Sequence, residues 1–443
     1  MTRRVVWFVL GAMALSVSLF AQGMSSTDSY RVRAMLQSAY EAVKRHYYDA
    51  KFHGLDWEAR YREYQKKIDA APSLNAGVTI VAAFLEGLKD SHTFFSPPPR
   101  PYQIDYGYRI AMVGPDAYVT RVRPETDAET KVKPGDRILG VNGNAISRES
   151  LASMEYYFNV LSPQQNVRLT VRDPAGQQRD VTVAAKVKTG RQVRDLTGAD
   201  GGMDFADLVR DEEASDHLLR HRYHEDQNVL IWKMPIFNLE NAEVDRIFGL
   251  ARKKAALIID MRGNPGGLVD TLRRMVSNAF DRDVQIAERV SRRGKEQVSA
   301  RTRGSNAFPG KLIVLVDSQS GSAAEVFARV LQLEERGRVL GDRSAGAVME
   351  SRQYPFGVES GTVVIFGVSV TSADLLMKDG RSIEHVGVTP DELVLPTAAD
   401  LASGRDPVLA RAAQLAGLTL DPVAAGKLFP YEWRKFQPSL TGR

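Results

Sequence analysis

From residue 229 onward, uninterrupted apolar runs alternate with helix-like stretches, and this pattern constrains the fold more than any other feature of the chain. The runs are Val229-Leu230-Ile231-Trp232, Ala256-Leu257-Ile258-Ile259 and Leu312-Ile313-Val314-Leu315-Val316. A strand with no polar alternation is buried on both faces, as in an α/β layer. The last two runs lead into helical stretches, Leu268–Phe280 and Ala323–Leu333, of the kind that cover such a sheet. The expected class is therefore α/β.

The chain has 443 residues, 43% hydrophobic and 26% charged, enough for two or three globular domains. Residues 22–100 carry apolar positions at helical spacing, among them Tyr30, Met35, Leu36, Tyr40, Val43 and Tyr47, then Ile80, Phe84 and Leu88. This predicts an N-terminal helical domain, ended by Pro97-Pro98-Pro99, which cannot continue a helix. Residues 101–188 hold short β-type runs, Tyr118–Val122, Arg137–Val141 and Val167–Val171, separated by turns at Pro134-Gly135-Asp136, Asn142-Gly143 and Asp173-Pro174-Ala175-Gly176; they predict a compact β module. The pattern fails over 189–227, read as a linker or lid with a helix-like segment from Asp207 to His224. The core is expected over 228–412 and a C-terminal tail over 413–443.

Residues 1–21 have the form of a signal peptide: Arg3 and Arg4 precede an uncharged apolar run from Val5 to Phe20, with small residues near Ala21. Export is expected, to a periplasmic or secreted location. The alternative is an uncleaved anchor, although the run falls short of the ~20 residues a spanning helix needs. That segment is the expected route to a membrane. The formal charge of +5 is dispersed along the chain, so no nucleic-acid face is expected. With no cysteine, thiolate zinc sites, iron–sulfur clusters and cysteine nucleophiles are excluded. No cofactor is expected, and the oligomeric state is not legible.

The most informative segment is Val316-Asp317-Ser318-Gln319-Ser320-Gly321-Ser322-Ala323-Ala324-Glu325, an apolar strand passing through a hydroxyl-rich turn into a helix. A serine at the first helical turn lies where free amides and the helix dipole stabilise an oxyanion, which makes Ser322 a candidate nucleophile. The plainer alternative is that Ser318, Ser320 and Ser322 are turn formers and caps. A second strand ends in Asp260-Met261-Arg262-Gly263-Asn264-Pro265-Gly266-Gly267, where Gly266 or Gly267 could turn an amide toward a bound oxygen. A serine nucleophile needs a base, and seven histidines are available. His46 and His53 fit boundary positions of the helical domain. His217, His221 and His224 would share one helical face, but Arg220 and Arg222 flank them and no carboxylate ligand is nearby, so no metal site is expected. His92 and His385 remain.

Leu88-Lys89-Asp90-Ser91-His92-Thr93, the β module, Asp260–Gly267, Ser322-Ala323-Ala324-Glu325 and Ile383-Glu384-His385-Val386-Gly387-Val388-Thr389-Pro390-Asp391 occur in the order seen in carboxyl-terminal processing (tail-specific) serine proteases. The chain resembles this family from about Asp28 to Ala412. The resemblance implies a crotonase/ClpP-like ββα protease core with an inserted PDZ-like β module and an N-terminal helical domain. One branch of the family pairs its serine with a lysine, but the matching position here is Ala347, and Lys378, beside Asp379 and Gly380, has the look of a solvated turn lysine. The chain is more similar to the tricorn-like branch, with a Ser-His pair near its start and a late glutamate. On that resemblance Ser322 is the nucleophile, His92 the general base and then acid, Glu384 the carboxylate that steadies the imidazolium, and Ser91 an accessory. The amides of Gly266 or Gly267 and of Ala323 would hold the oxyanion. Tyr106, Gly107, Tyr108 and Arg109 stand in the loop that in PDZ domains takes a peptide tail. The implied activity is that of an exported serine endopeptidase acting on protein or peptide substrates, possible recognition of their C-terminal tails included. The alternative on the same fold is an inactive binder of peptides or lipophilic ligands.

Overall fold

The computed structural model describes residues 24–100, 102–189, 217–361 and 363–433. The expected signal segment lies outside them, as does most of the 189–227 stretch.

Three helices, Ser26–His46, Trp57–Asp69 and Leu74–Glu86, open the chain. Each starts where a short polar side chain accepts an otherwise unpaired amide: Ser25 from Asp28, Asp56 from Ala59, Ser73 from Ala76. Their apolar faces, including Val32, Leu36, Val43, Val81 and Phe84, pack with Phe95, Phe366, Val368 and Val370. Those last four belong to a five-stranded antiparallel sheet. In it Phe94–Ser96 pairs with the long Val363–Met377 strand, register Phe94 to Ser369. The Ser91-His92 segment is therefore fastened to the end of the helical domain and to this sheet at once.

The core sheet has six strands in the order Arg222–Glu225, Val229–Lys233, Ala256–Asp260, Lys311–Val316, Arg338–Gly341 and Glu392–Leu393. All are parallel except the first. Alternate residues serve two apolar layers, as a doubly covered sheet requires. Leu230, Trp232, Leu257, Ile259, Val314 and Val316 pack with the helices Asn241–Ala251, Val269–Ala279 and Ala323–Leu333. Val229, Ile231, Ile258, Ile313 and Leu315 face Val408, Leu409, Ala412, Ala413 and Ala425 on the helices Pro407–Ala416 and Pro422–Lys427.

Two expectations are corrected here. The stretch from 413 is not simply a tail, because its first residues complete the cover of the core sheet. His217, His221 and His224 do not share a helical face: residues 217–219 form a single 3₁₀ turn and Arg222–Glu225 is an edge strand. The His221 ring instead accepts from Trp232 Nε1 at 3.1 Å and meets Asn238 Oδ1 at 3.1 Å. Strand pairing with Val229–Lys233 outweighed the helical spacing of the polar residues. Among the described residues no group of His, Asp and Glu gathers that could hold a metal, and no helix is long and apolar enough to cross a membrane.

The β module is inserted between the helical domain and the core. Tyr102–Asp105 on entry pairs with Lys186–Thr189 on exit, so both chain ends leave through one two-stranded stalk. Beyond it lies a six-stranded antiparallel sheet with Tyr108–Val113, Asp116–Val122, Arg137–Val141, Asn166–Arg172 and Gln178–Ala184 in that order, and the short Asn144–Ala145 strand paired to Arg137–Val141.

Candidate active site

Ser322 caps the helix Ala323–Leu333 with φ 51° and ψ −119°. A side-chain-bearing residue in this region is strained, and such strain persists only where neighbours over-determine it. The neighbours are evident. Ser322 N–H donates to Ala347 O at 2.7 Å and to Glu325 Oε2 at 3.0 Å. The preceding turn is stitched to the Asp260–Gly267 loop, with Ser320 Oγ donating to Met261 O at 2.9 Å, Gly321 N to Asn264 O at 2.9 Å, and Gly263 N to Asp317 Oδ1 at 2.9 Å. A Cβ on Gly266 would lie 2.5 Å from Ser322 Cβ, and Gly266 has φ 102°, so only glycine allows the two turns to approach.

The two glycines are not equivalent. Gly266 N–H is spent on Asn264 Oδ1 at 2.8 Å. The amides of Gly267 and Ala323 have no partner among the described residues, so both remain unspent.

Glu325 is the hub that sequence reasoning missed. Fully buried, it accepts Ser344 Oγ at 2.5 Å, Gly346 N at 2.7 Å, Ala347 N at 2.9 Å and Ser322 N at 3.0 Å. Burial pushes its carboxyl above the usual range, while Ser344 and the amides of Ala347, Gly346 and Ser322 pull the other way. The Ser-x-x-Glu spacing of a capping box could have signalled it.

Glu384 carries the second cluster. Its Oε1 accepts Ser91 N at 2.7 Å, and its Oε2 accepts Val348 N at 2.8 Å and Ser91 Oγ at 3.0 Å. Ser91 Oγ also lies 2.6 Å from His92 Nδ1. A hydroxyl that donates its proton to the carboxylate can only accept from Nδ1–H, which leaves Nε2 as the lone-pair nitrogen. Glu384 thus reaches the imidazole through Ser91 and makes no direct hydrogen bond to His92 among the described residues. Ala347 O holds Ser322 while Val348 N holds Glu384, so one dipeptide ties the serine to the Glu384-Ser91-His92 chain. No hydrogen bond joins Ser322 Oγ to the His92 ring among the described residues. Burial of the half-buried His92 ring pushes its pKa below the ordinary 6.5, against the upward pull of Glu384 and Asp90.

The other candidates are placed elsewhere. His385 is exposed, with Nε2 at 2.7 Å from Lys89 O. His46 stacks on Tyr354, and His53 meets the hydroxyls of Tyr47 and Tyr48. Lys378 is half-exposed and paired with Glu334 at 2.7 Å. Glu334 is the far cap of the helix that Ser322 opens, roughly 18 Å along its axis at 1.5 Å per residue. Lys378→Ala should therefore change kcat by less than about 2-fold in a protein-hydrolysis assay; a loss comparable to that of a nucleophile variant would contradict this placement.

In the β module Tyr106 is buried, its hydroxyl donating to Gln164 O at 2.9 Å. Gly107 N–H donates to Asp105 Oδ1 at 2.9 Å, Tyr108 is half-buried, and Arg109 is exposed.

Comparison with known proteins accords with this architecture. Residues 228–394 match the model of Peptidase family S41, and residues 29–73 match the Tricorn protease C1 domain. Over these core residues the chain is similar to Peptidase family S41. Relatives of the chain include a carboxy-terminal-processing protease of Bartonella bacilliformis, 31% identical over 161 residues, covering 35% of this chain and 35% of that protein. A tail-specific protease of Haemophilus influenzae is 26% identical over 272 residues, covering 59% and 36%. The chain spans only 53% and 46% of two staphylococcal relatives named as CtpA-like serine proteases. The fold is shared with mature CPAF solved in complex with lactacystin, at TM-score 0.62 and 16% identity over 85% of this chain and 96% of that one. It is also shared with the photosystem II D1 C-terminal processing protease, at TM-score 0.50 and 21% identity over 82% and 93%.

Proposed function

We propose that the chain is a serine-type endopeptidase of protein substrates, with an export signal in residues 1–21, a PDZ-like β module and a crotonase-like core. The observation that carries this reading is the strained Ser322 at a helix N-terminus, beside two unpartnered amides and tied through Ala347-Val348 to an imidazole whose tautomer is set. Ser322 Oγ–H gives its proton to His92 Nε2 as Oγ bonds to the scissile carbonyl carbon. The carbonyl oxygen becomes an oxyanion held by the amides of Gly267 and Ala323. The C–N bond breaks as His92 returns the proton to the leaving amine, leaving an acyl-serine that water hydrolyses with His92 again as base. Ser91 and Glu384 keep Nδ1 protonated and balance the imidazolium charge. Hydroxyl and ring close up in the substrate complex, as catalytic hydrogen bonds commonly do.

A fluorophosphonate should label Ser322 and no other serine, and His92→Ala should slow labelling by about 10²–10⁴-fold. His92 acts only when neutral, and its pKa is depressed. The labelling rate should therefore be flat through neutrality and fall as pH drops through a midpoint below 6.5. Absence of label at Ser322 at pH 8 would remove the peptidase reading.

A further inference from the structure

Tail recognition by strand addition needs two things from a module: a sheet edge with free outward-facing backbone groups, and loop amides free to hold a carboxylate. In the β module the edge strand is Tyr108–Val113, which pairs on one side with Asp116–Val122. Val119 directs its amide and carbonyl away from that edge, to Asp136 O at 2.8 Å and Gly135 N at 2.9 Å. Its neighbour Tyr118 therefore bonds toward Ala111, its register partner. By the antiparallel alternation, Ile110 and Met112 then turn their carbonyls to the open edge.

That edge is already taken by the core. Ser318 Oγ donates to Met112 O at 2.8 Å, and Gln319 Nε2 reaches Ile110 O at 3.4 Å. At the strand end Gly114 N–H donates to Asp342 Oδ2 at 2.8 Å, and Asp342 is locked to Arg148 at 2.6 Å. Arg148 also donates to Gly114 O and Arg343 O, each at 2.8 Å. Ser318 and Gln319 belong to the turn that carries Ser322, and Asp342 opens the loop that holds Glu325. A peptide added to this edge would have to displace the contacts that brace the nucleophile turn.

The amide loop is taken as well. Gly107 N–H is spent on the buried carboxylate of Asp105, which is paired with Arg123 at 2.9 Å. An incoming carboxylate would find this amide already spent on a carboxylate of the chain itself. Aromatic rings of the segment 431–433 lie against basic residues beside that loop, two of which, Arg109 and Arg121, stay exposed. The Trp433 ring lies 5.1 Å from the Arg109 guanidinium and 4.8 Å from that of Arg123, and Tyr431 lies 5.7 Å from that of Arg121.

We infer that the β module is docked in cis, with the nucleophile turn as the occupant of its open edge, and that the site takes internal extended segments of polypeptide without reading a free carboxyl terminus. The inference rests on the endopeptidase reading for its substrate class, but the docking itself is independent of turnover. The test uses one fluorescein-labelled decapeptide with an apolar last residue, as free acid and as C-terminal amide. Fluorescence anisotropy against the full chain carrying Ser322→Ala should give dissociation constants for the two within about 2-fold, or no binding of either. The wild-type chain should cleave an unfolded protein with a free tail, and the same protein with a folded domain fused to that tail, with kcat/KM within about 2-fold. A tenfold or greater preference for the free acid in binding, or for the free tail in cleavage, overturns the inference. If the wild type cleaves neither protein, the peptidase reading fails, and the anisotropy pair alone still decides whether the module reads tails.

Discussion

Replacing Ser322 by alanine should lower kcat for an unfolded protein substrate by roughly 10⁴–10⁶-fold, the range seen when the nucleophile of a serine protease is removed. The urea midpoint should barely move, with a stability change within about 1 kcal/mol. The two expectations have separate origins in the structure. Ser322 is held by its backbone amide, through Ala347 O and Glu325 Oε2, and these bonds survive loss of the hydroxyl. The proposed chemistry depends on Oγ alone. Retention of more than a tenth of the wild-type kcat would take the nucleophile role away from Ser322, and a large stability loss would mean that Oγ has a structural partner.

The second large effect is expected at Glu325, where stability and activity should fall together. Glu325→Ala would strand three donors in a buried site, Ser344 Oγ and the amides of Gly346 and Ala347, and would cost a fourth, the Ser322 amide, one of its two acceptors. At about 1–3 kcal/mol per buried donor left unpaired, with partial relaxation, the loss should reach roughly 3–5 kcal/mol. Because one of these donors is the nucleophile's own amide and another precedes Val348, the partner of Glu384, kcat should also drop by at least about 100-fold. Glu325→Gln should be nearly as damaging despite its size. Each carboxylate oxygen accepts two donors, so whichever end carries the amide nitrogen sets NH₂ against two hydrogen-bond donors. Urea unfolding of the Gln variant is the cleanest check. A midpoint equal to wild type would show that the hub carries no such strain.

Several features were legible in the residues themselves, for reasons that can be stated. The strands at Ala256–Asp260 and Lys311–Val316 announce themselves because a strand buried on both faces has no use for polar side chains. The helices Ser26–His46 and Leu74–Glu86 follow from apolar spacing, whereas Trp57–Asp69 was not singled out, and the short strands at 118–171 follow from turn residues between apolar runs. Ser91-His92 and Glu384 were visible only through the order of motifs, because nothing local brings residues 293 positions apart together. Local reasoning failed where tertiary pairing took over. The three histidines from 217 to 224 kept a helical spacing but went partly to an edge strand. The helix Pro422–Lys427 was missed because its apolar residues gain meaning only against the underside of the core sheet.

By itself the sequence determined the doubly covered strands, the glycine and serine turns that follow them, and the side-chain groups available, because each follows from side-chain size, polarity and backbone freedom within a few residues. Only the tertiary structure decided that Ser91 stands between Glu384 and His92, that Gly267 rather than Gly266 keeps its amide unspent, and that the open edge of the β module rests on the turn that leads to Ser322. Those outcomes depend on which hydrogen-bonding groups have already found partners, and that is settled by the packing of distant segments.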